Sequence, residues 1–441
     1  MIWLILILAI ILRLINTNQS LWLDEGAQVL MSQKSLNYIL FERSGDFHPP
    51  LSYIFFHYWL MISHSDAWLR ILPIIFGVAT IFIIYKICQN LFSERIALIS
   101  SLFLSIAPYH IYYSQEIRMY SMAAFFASLS MYFLVTNKQV GYVLATSALL
   151  YTHYMGIFLI AAQLLYKKKW QDLGLVFLIY LPWLPLFWSQ LVNGMNANQY
   201  LPGWGNLLSL DPLKAIPLIF LKFIVGRISF ENQYLYEVVA ILVLGYFGFL
   251  IFLSLRSKLD IKPISFWLFI PIMITWLISF LIPINQPFRL LFAVPAFYIL
   301  LAVGVLKLEK FWKFGVIGVL LILMSGLLVY YTNPKFQRED WRNATKDIPT
   351  DAIFAWPEPF DPYIWYGGKG VGVIKHFPAS ENEITQNLTN IKLGNTVYFF
   401  EYLQDLADPQ RIIQQELAKF GYKLKETRDF VGVGFVDLYQ R

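Results

Sequence analysis

Charge is scarce in this chain. Of its 441 residues only 14% are Asp, Glu, Lys or Arg, against about 25% in soluble domains, which excludes an ordinary soluble globular class. Cysteine is nearly missing as well: the lone Cys88 excludes a disulfide framework and any multi-cysteine metal site. Neither G-x-x-x-x-G-K-[ST] nor G-x-G-x-x-G occurs, so nucleotide-driven transport and direct use of a dinucleotide lack support. H-E-x-x-H is missing too. Any chemistry must draw its energy from an activated substrate or an ion gradient.

What is abundant is apolar and aromatic: 58% hydrophobic residues, with 27 Tyr, 37 Phe and 14 Trp. The scarce charge is also unevenly placed. Residues from Thr332 onward carry 13 basic and 15 acidic side chains, and the first 331 carry 21 and 13. The chain therefore reads as an α-helical polytopic membrane part, 1–331, followed by a soluble extracytoplasmic part, 332–441. The formal charge of +6 belongs to membrane topology rather than to nucleic acid. The opening MIWLILILAIILRL lacks a basic region before it and an A-x-A site after it, so it reads as a retained first span.

Apolar runs predict spans near 1–15, 67–88, 96–113, 119–136, 139–152, 155–166, 171–189, 235–255, 264–283, 290–306 and 314–331, about eleven in all. Basic residues cluster at every second connection: Lys86 and Arg95, Lys138, Lys167 to Lys169, then Arg256, Lys258 and Lys262, then Lys307, Lys310 and Lys313. Those connections read as cytoplasmic. The remaining ones, including a first external loop at 16–66, fall on the opposite face, and so does the tail. Two short apolar stretches, 48–63 and 213–230, read as interfacial or re-entrant helices. In the tail, DAIFAW, TVYFFEY and DFVGVGFVDLY read as strands and PQRIIQQELAKFG as a helix, giving a small α/β domain.

Four polar motifs stand on the predicted external face. Trp22-Leu23-Asp24-Glu25 sets adjacent carboxylates where membrane meets water; Asp24 is equally a candidate N-cap for the helix that LDEGAQVLMSQKSLNYIL can form. In Asp46-Phe47-His48-Pro49-Pro50-Leu51 two prolines fix the backbone and hold His48 at a defined height. Ser114-Gln115-Glu116-Ile117-Arg118-Met119-Tyr120 is a sharply polar break between apolar spans, where ionisable groups are costly and default to function. Pro283-Ile284-Asn285-Gln286-Pro287-Phe288-Arg289 offers an arginine suited to a phosphate, or to snorkelling among headgroups. His153-Tyr154, in YTHYMG, is a weaker candidate of the same kind.

Together and in this order, WLDEG, DFHPPL, SQEIRMYS and the QPFR loop, with an EDWR-started tail, resemble the polytopic glycosyltransferases of the protein O-mannosyltransferase and lipid A aminoarabinose transferase type. The resemblance implies the GT-C fold and transfer of a sugar from a polyprenyl-phosphate carrier to an acceptor on the extracytoplasmic side. It makes Asp24 the general base, with Glu25 beside it and Glu116 as a further catalytic carboxylate. His48, Arg118 and Arg289 become substrate-binding by the resemblance; Tyr120 and Tyr154 join them as rings that could stack on a sugar, and His153 as a further candidate contact. His48 matches the His-Pro-Pro of the O-mannosyltransferases, where the aminoarabinose transferases tend to have Lys-Pro-Pro. Arg289 matches an arginine expected at the carrier phosphate, although Leu290 follows it where Tyr is common.

A glycosyl phosphate brings its own leaving group; a divalent metal could assist through Asp24, Glu25 or Glu116, but arginines suffice at the phosphate and the expectation is that no cofactor or metal is required. The expected partners are the lipid-linked sugar donor, an acceptor lipid, glycan or protein, and membrane lipids. The apolar 190–234 segment, with Pro202, Trp204 and Phe230, suggests a wall for the isoprenoid tail. The compact tail favours a bacterial inner (plasma) membrane. A transporter or flippase of a lipid-linked sugar is the competing class; it predicts internal repeats with broken helices at matching positions, and none is evident here.

Overall fold

The computed structural model describes residues 1–42, 47–196, 210–377, 379–391 and 393–441. Asp46, Pro202 and Trp204 lie outside them. Contacts divide the chain into two units: residues 1–17, 36–190 and 209–336, and residues 18–35, 191–208 and 337–441. Residues 18–35 of the expected 16–66 loop thus group with the tail.

Each expected span is largely helical, because each run is apolar and free of interior breakers beyond an occasional proline, although the helix in 264–283 already ends at Ile278. Five helices are long and apolar enough to cross a membrane: Asp66–Leu91, Trp170–Met195, Gln233–Leu255, Pro287–Leu306 and Glu309–Thr332. Others, such as Ile2–Leu14 and Gly156–Tyr166, are shorter. At 1.5 Å per residue the latter reaches about 17 Å, short of the ~30 Å hydrocarbon layer. The stretches 48–63 and 213–230 overlap the helices Leu51–Leu60 and Pro212–Val225. At the centre, Val294–Leu306 is apolar on all sides and buried almost throughout, as expected of a helix surrounded by others.

One expected straight span is bent. Residues 96–113 fall into Glu94–Ile106 and Pro108–Ser114, inclined by 64°. Pro108 disfavours helical geometry at the residue before it, and Ala107 takes ψ 115°. The break strands carbonyls at the end of the first segment. The guanidinium of Arg13, fully buried, donates to Ser105 O at 2.9 Å and to Leu104 O at 3.4 Å, and lies 2.7 Å from His110 Nδ1.

The second unit holds a five-stranded sheet in the order β2-β1-β3-β5-β4: β1 Ala352–Phe354, β2 Gly370–Gly372, β3 Thr396–Phe400, β4 Lys423–Phe430 and β5 Gly434–Gln440. β1 runs parallel to β2 and β3, while β5 is antiparallel to both β3 and β4. Alternation assigns Ile353, Val397 and Phe399 to one face, packed with Ile384 and Leu388 of the helix Glu381–Asn390 and with Ile413 and Leu417 of Ile412–Lys419. Phe354 and Phe400 belong to the other face, with Trp341, Phe360 and Tyr363. The run DFVGVGFVDLY is two strands rather than one. Gly432 and Gly434 take φ of +76° and +84°, a region glycine enters without strain, and they turn β4 into β5.

Candidate active site

In the membrane unit the polar break is held by main-chain anchors. Gln115 Nε2 donates to Arg13 O at 2.9 Å and Ile15 O at 2.6 Å, and its Oε1 accepts from Tyr330 OH at 2.8 Å. Arg70 donates to Gln115 O at 2.7 Å. Arg118 N closes a tight turn on Glu116 O at 2.7 Å. Two buried charged side chains, Glu116 and Arg118, therefore stand on a loop fixed from three sides, where their geometry is preset rather than solvent-averaged.

Arg118 Nη2 lies 3.3 Å from His48 Nε2. His48 follows Phe47 and precedes the two prolines that open the helix Leu51–Leu60. His153 ends the helix Gln139–Thr152 and is buried. Its Nδ1 accepts the Met155 amide at 3.2 Å, which leaves the proton on Nε2. Burial first, then His48, Arg289 and Arg118, push its pKa down to about 3, so at physiological pH it is a neutral donor with two arginines nearby. Tyr120 sits against both His153 and Phe288, with ring centroids 5.8 and 5.5 Å away.

Arg289 donates to Pro283 O at 3.2 Å and lies beside the Phe288 ring. The structure therefore gathers His48, Arg118, Tyr120, His153 and Arg289, drawn from four separate segments. Tyr154 turns to other partners: its hydroxyl donates to Gln190 and accepts from Trp183 Nε1 at 3.0 Å.

Two residues here were not singled out from sequence. Asn285 is buried, accepts from Thr275 Oγ1 at 3.3 Å, and its Nδ2 has no hydrogen-bond partner among the described residues. Arg227 lines a recess with Pro108, Tyr112, Gly226 and Tyr330; its guanidinium lies 4.9 Å from the centre of the Tyr112 ring and donates to the Tyr112 hydroxyl.

The carboxylates of WLDE belong to the second unit. The helix there runs Leu23–Ser32, with Trp22 rather than Asp24 at the N-cap, so Asp24 stands in the first turn. Glu25 is fully buried; its Oε2 accepts the Trp22 amide at 3.3 Å and its Oε1 lies 3.7 Å from Arg338 Nε. Glu339 receives hydrogen bonds from Leu23 N, Trp341 Nε1 and Tyr402 OH. Burial nevertheless outweighs these bonds and raises its pKa, with Asp24 adding to the rise. Asp361 is pushed up to about 6, by burial foremost, then by Glu358 and Asp24. Among the described residues no group of three or more His, Cys, Asp or Glu side chains is arranged to hold a metal ion.

Comparison with known proteins adds to this geometry. A family profile described as dolichyl-phosphate-mannose-protein mannosyltransferase matches residues 47–188, the stretch that carries His48, Glu116, Arg118, Tyr120, His153 and Tyr154. The crystal structure of ArnT from Cupriavidus metallidurans in the apo state superposes with a TM-score of 0.60 at 12% identity, covering 99% of this chain and 97% of that one. The chain has the GT-C fold. The same ArnT bound to undecaprenyl phosphate gives a TM-score of 0.59 at 13% identity, again over 99% and 97% of the two chains. Archaeal oligosaccharyltransferase AglB from Archaeoglobus fulgidus, in complex with an inhibitory peptide and a dolichol-phosphate, gives 0.56 at 13% identity over 96% and 72%. No curated protein matches the chain by sequence. This GT-C chain thus shares its architecture with these structures while its side chains have largely diverged.

Proposed function

We propose that the chain is an inverting glycosyltransferase, taking a sugar from a polyprenyl-phosphate carrier and passing it to an acceptor hydroxyl or amine on the extracytoplasmic face of the membrane. The observation that carries this reading is the pair of arginines Arg118 and Arg289, with His48 against Arg118, around neutral, buried His153, on loops of a GT-C chain whose profile match is to a dolichyl-phosphate-mannose enzyme.

In this reading the acceptor oxygen attacks the anomeric carbon as the bond from that carbon to the phosphate oxygen breaks. The leaving polyprenyl phosphate gains a second negative charge, and Arg118 and Arg289 stabilise it with charge-assisted hydrogen bonds. His153 adds a neutral donor. Asp24 orients the acceptor and takes its proton late in the step, since an ordinary carboxylate is a weak base for a hydroxyl. The arginines supply charge that a divalent cation would otherwise bring, so no metal is required.

The direct test is binding of polyprenyl phosphate to the purified protein. Arg289→Ala is expected to weaken it about tenfold or more, by loss of one charge-assisted contact worth about 1.5–3 kcal/mol. Unchanged affinity would return Arg289 to an interfacial anchoring role.

A further inference from the structure

The helix that carries Asp24 is capped locally at one amide, Glu25 Oε2 accepting from Trp22 N at 3.3 Å, and the amide of Leu23 finds its partner elsewhere. Trp22 occupies the N-cap position and makes no side-chain cap hydrogen bond, because an indole has no acceptor. The first amides of a helix need partners, and here the partner of Leu23 N is Glu339, 316 residues away in sequence, at 3.3 Å. Glu339 is itself fixed. Trp341 Nε1 donates to it at 2.7 Å and Tyr402 OH at 3.0 Å. Trp341 is fully buried and stacks on Phe400 at the end of β3, with rings 6.0 Å apart and inclined by 10°.

The backbone behind Glu339 is pinned as well. Asp340 N donates to Val431 O in the β4–β5 turn at 2.8 Å, and a side chain at Gly432 would meet Glu339 Cγ at 2.9 Å. Further ties run along the same segment. Leu21 N donates to Tyr366 OH at 2.8 Å, Arg338 N to Gln19 Oε1 at 2.9 Å, and Arg342 N to Ser20 Oγ at 3.0 Å. Gly26 admits no side chain, since its Cβ would stand 2.5 Å from Pro362 N.

We propose that the C-terminal unit is part of the reaction machinery, with its sheet holding the turn that carries Asp24 and Glu339 acting as the positioning residue. The inference rests on Asp24 being the base. It assigns the tail a role that the sequence left open, that of a scaffold for a catalytic carboxylate, whatever acceptor it meets. The line of force runs from β3 through Phe400 and Trp341 to Glu339, and from there to the amide immediately before Asp24.

Glu339→Gln tests this. The amide keeps the shape but presents its own N–H groups where three donors converge, so at least one bond is lost. Displacing a reacting group by about 1 Å can cost on the order of 10²-fold. The expected result is a fall in kcat of ten- to a hundredfold, with KM for the lipid-linked sugar within twofold of wild type and faster hydrogen exchange at the Leu23 amide. Tyr402→Phe removes one donor without touching the helix, and is expected to lower kcat about three- to tenfold; if Glu339→Gln does not fold, this variant decides. Wild-type kcat in folded Glu339→Gln, or in Tyr402→Phe when the first variant is lost, overturns the proposal. Asp24→Asn is assayed beside them. If it is inactive while the other variants behave as wild type, only the positioning role fails; if it is active, the assignment of Asp24 fails and the positioning role with it.

Discussion

Arg118 offers the sharpest perturbation of the proposed phosphate site. Its side chain is only 5% exposed, and one of its terminal nitrogens lies 3.3 Å from His48 Nε2. Arg118→Gln keeps much of the volume and removes the charge. A unit charge about 4 Å from a phosphate charge contributes about 4 kcal/mol at an effective dielectric near 20, and deleting one preorganised donor at developing charge costs about 10²–10³ in rate. The carrier phosphate already bears half of its final charge before the bond breaks. The loss should therefore divide between binding and chemistry, with kcat/KM for the lipid-linked sugar falling about 10²–10³-fold and kcat alone about 10–30-fold. Arg118→Lys retains charge but loses the planar fork, and should lose about tenfold in kcat/KM. Initial rates in liposomes over a range of donor concentrations measure both parameters. A kcat/KM within threefold of wild type in Arg118→Gln would refute the reasoning.

Two further outcomes follow from the same chemistry. Because the pKa of Asp361 rises from 3.8 to about 6, the folded chain keeps a proton that the unfolded chain has already released between those values; stability falls as pH rises through that window, by on the order of 3 kcal/mol at most. Asp361→Asn removes the penalty, so thermal unfolding at pH 7.5 should occur at a higher temperature than in wild type and at pH 3.5 at the same temperature; equal midpoints at both pH values would contradict the burial argument. Transfer activity should stay within twofold in EDTA, and a loss that Mg²⁺ or Mn²⁺ restores would overturn the assignment of the phosphate charge to the arginines.

Much of the architecture was legible because apolar runs and polar interruptions are local signals. The sharp polarity of SQEIRMYS and of the QPFR loop between apolar spans marked Arg118 and Arg289, and the structure places both around His153. The bend at Ala107 was not read, although Pro108 signals it, because the apolar run continues through the break. Arg13 was likewise visible as a lone charge in an apolar span, a feature that warrants suspicion, yet its task of capping stranded carbonyls depends on residues 91 and 92 positions away.

DFVGVGFVDLY concealed a turn because its glycines are flanked by good strand formers. The hold of Glu339 on Leu23 was beyond reach, since a contact across 316 residues leaves no periodicity in either segment. Asn285 and Arg227 were missed for a related reason. An amide or an arginine near a membrane surface is ordinary by composition, and only its burial and neighbours set it apart.

The central claim is transfer of a sugar by a reaction that needs Asp24. The decisive measurement is mass spectrometry of products from wild-type and Asp24→Asn protein, each in liposomes with polyprenyl-phosphate hexoses and pentoses and a membrane extract supplying acceptors. Wild type alone is expected to move a sugar to a new acceptor, with Asp24→Asn still binding carrier. Carrier that crosses the bilayer chemically unchanged, or transfer that survives in Asp24→Asn, would contradict it.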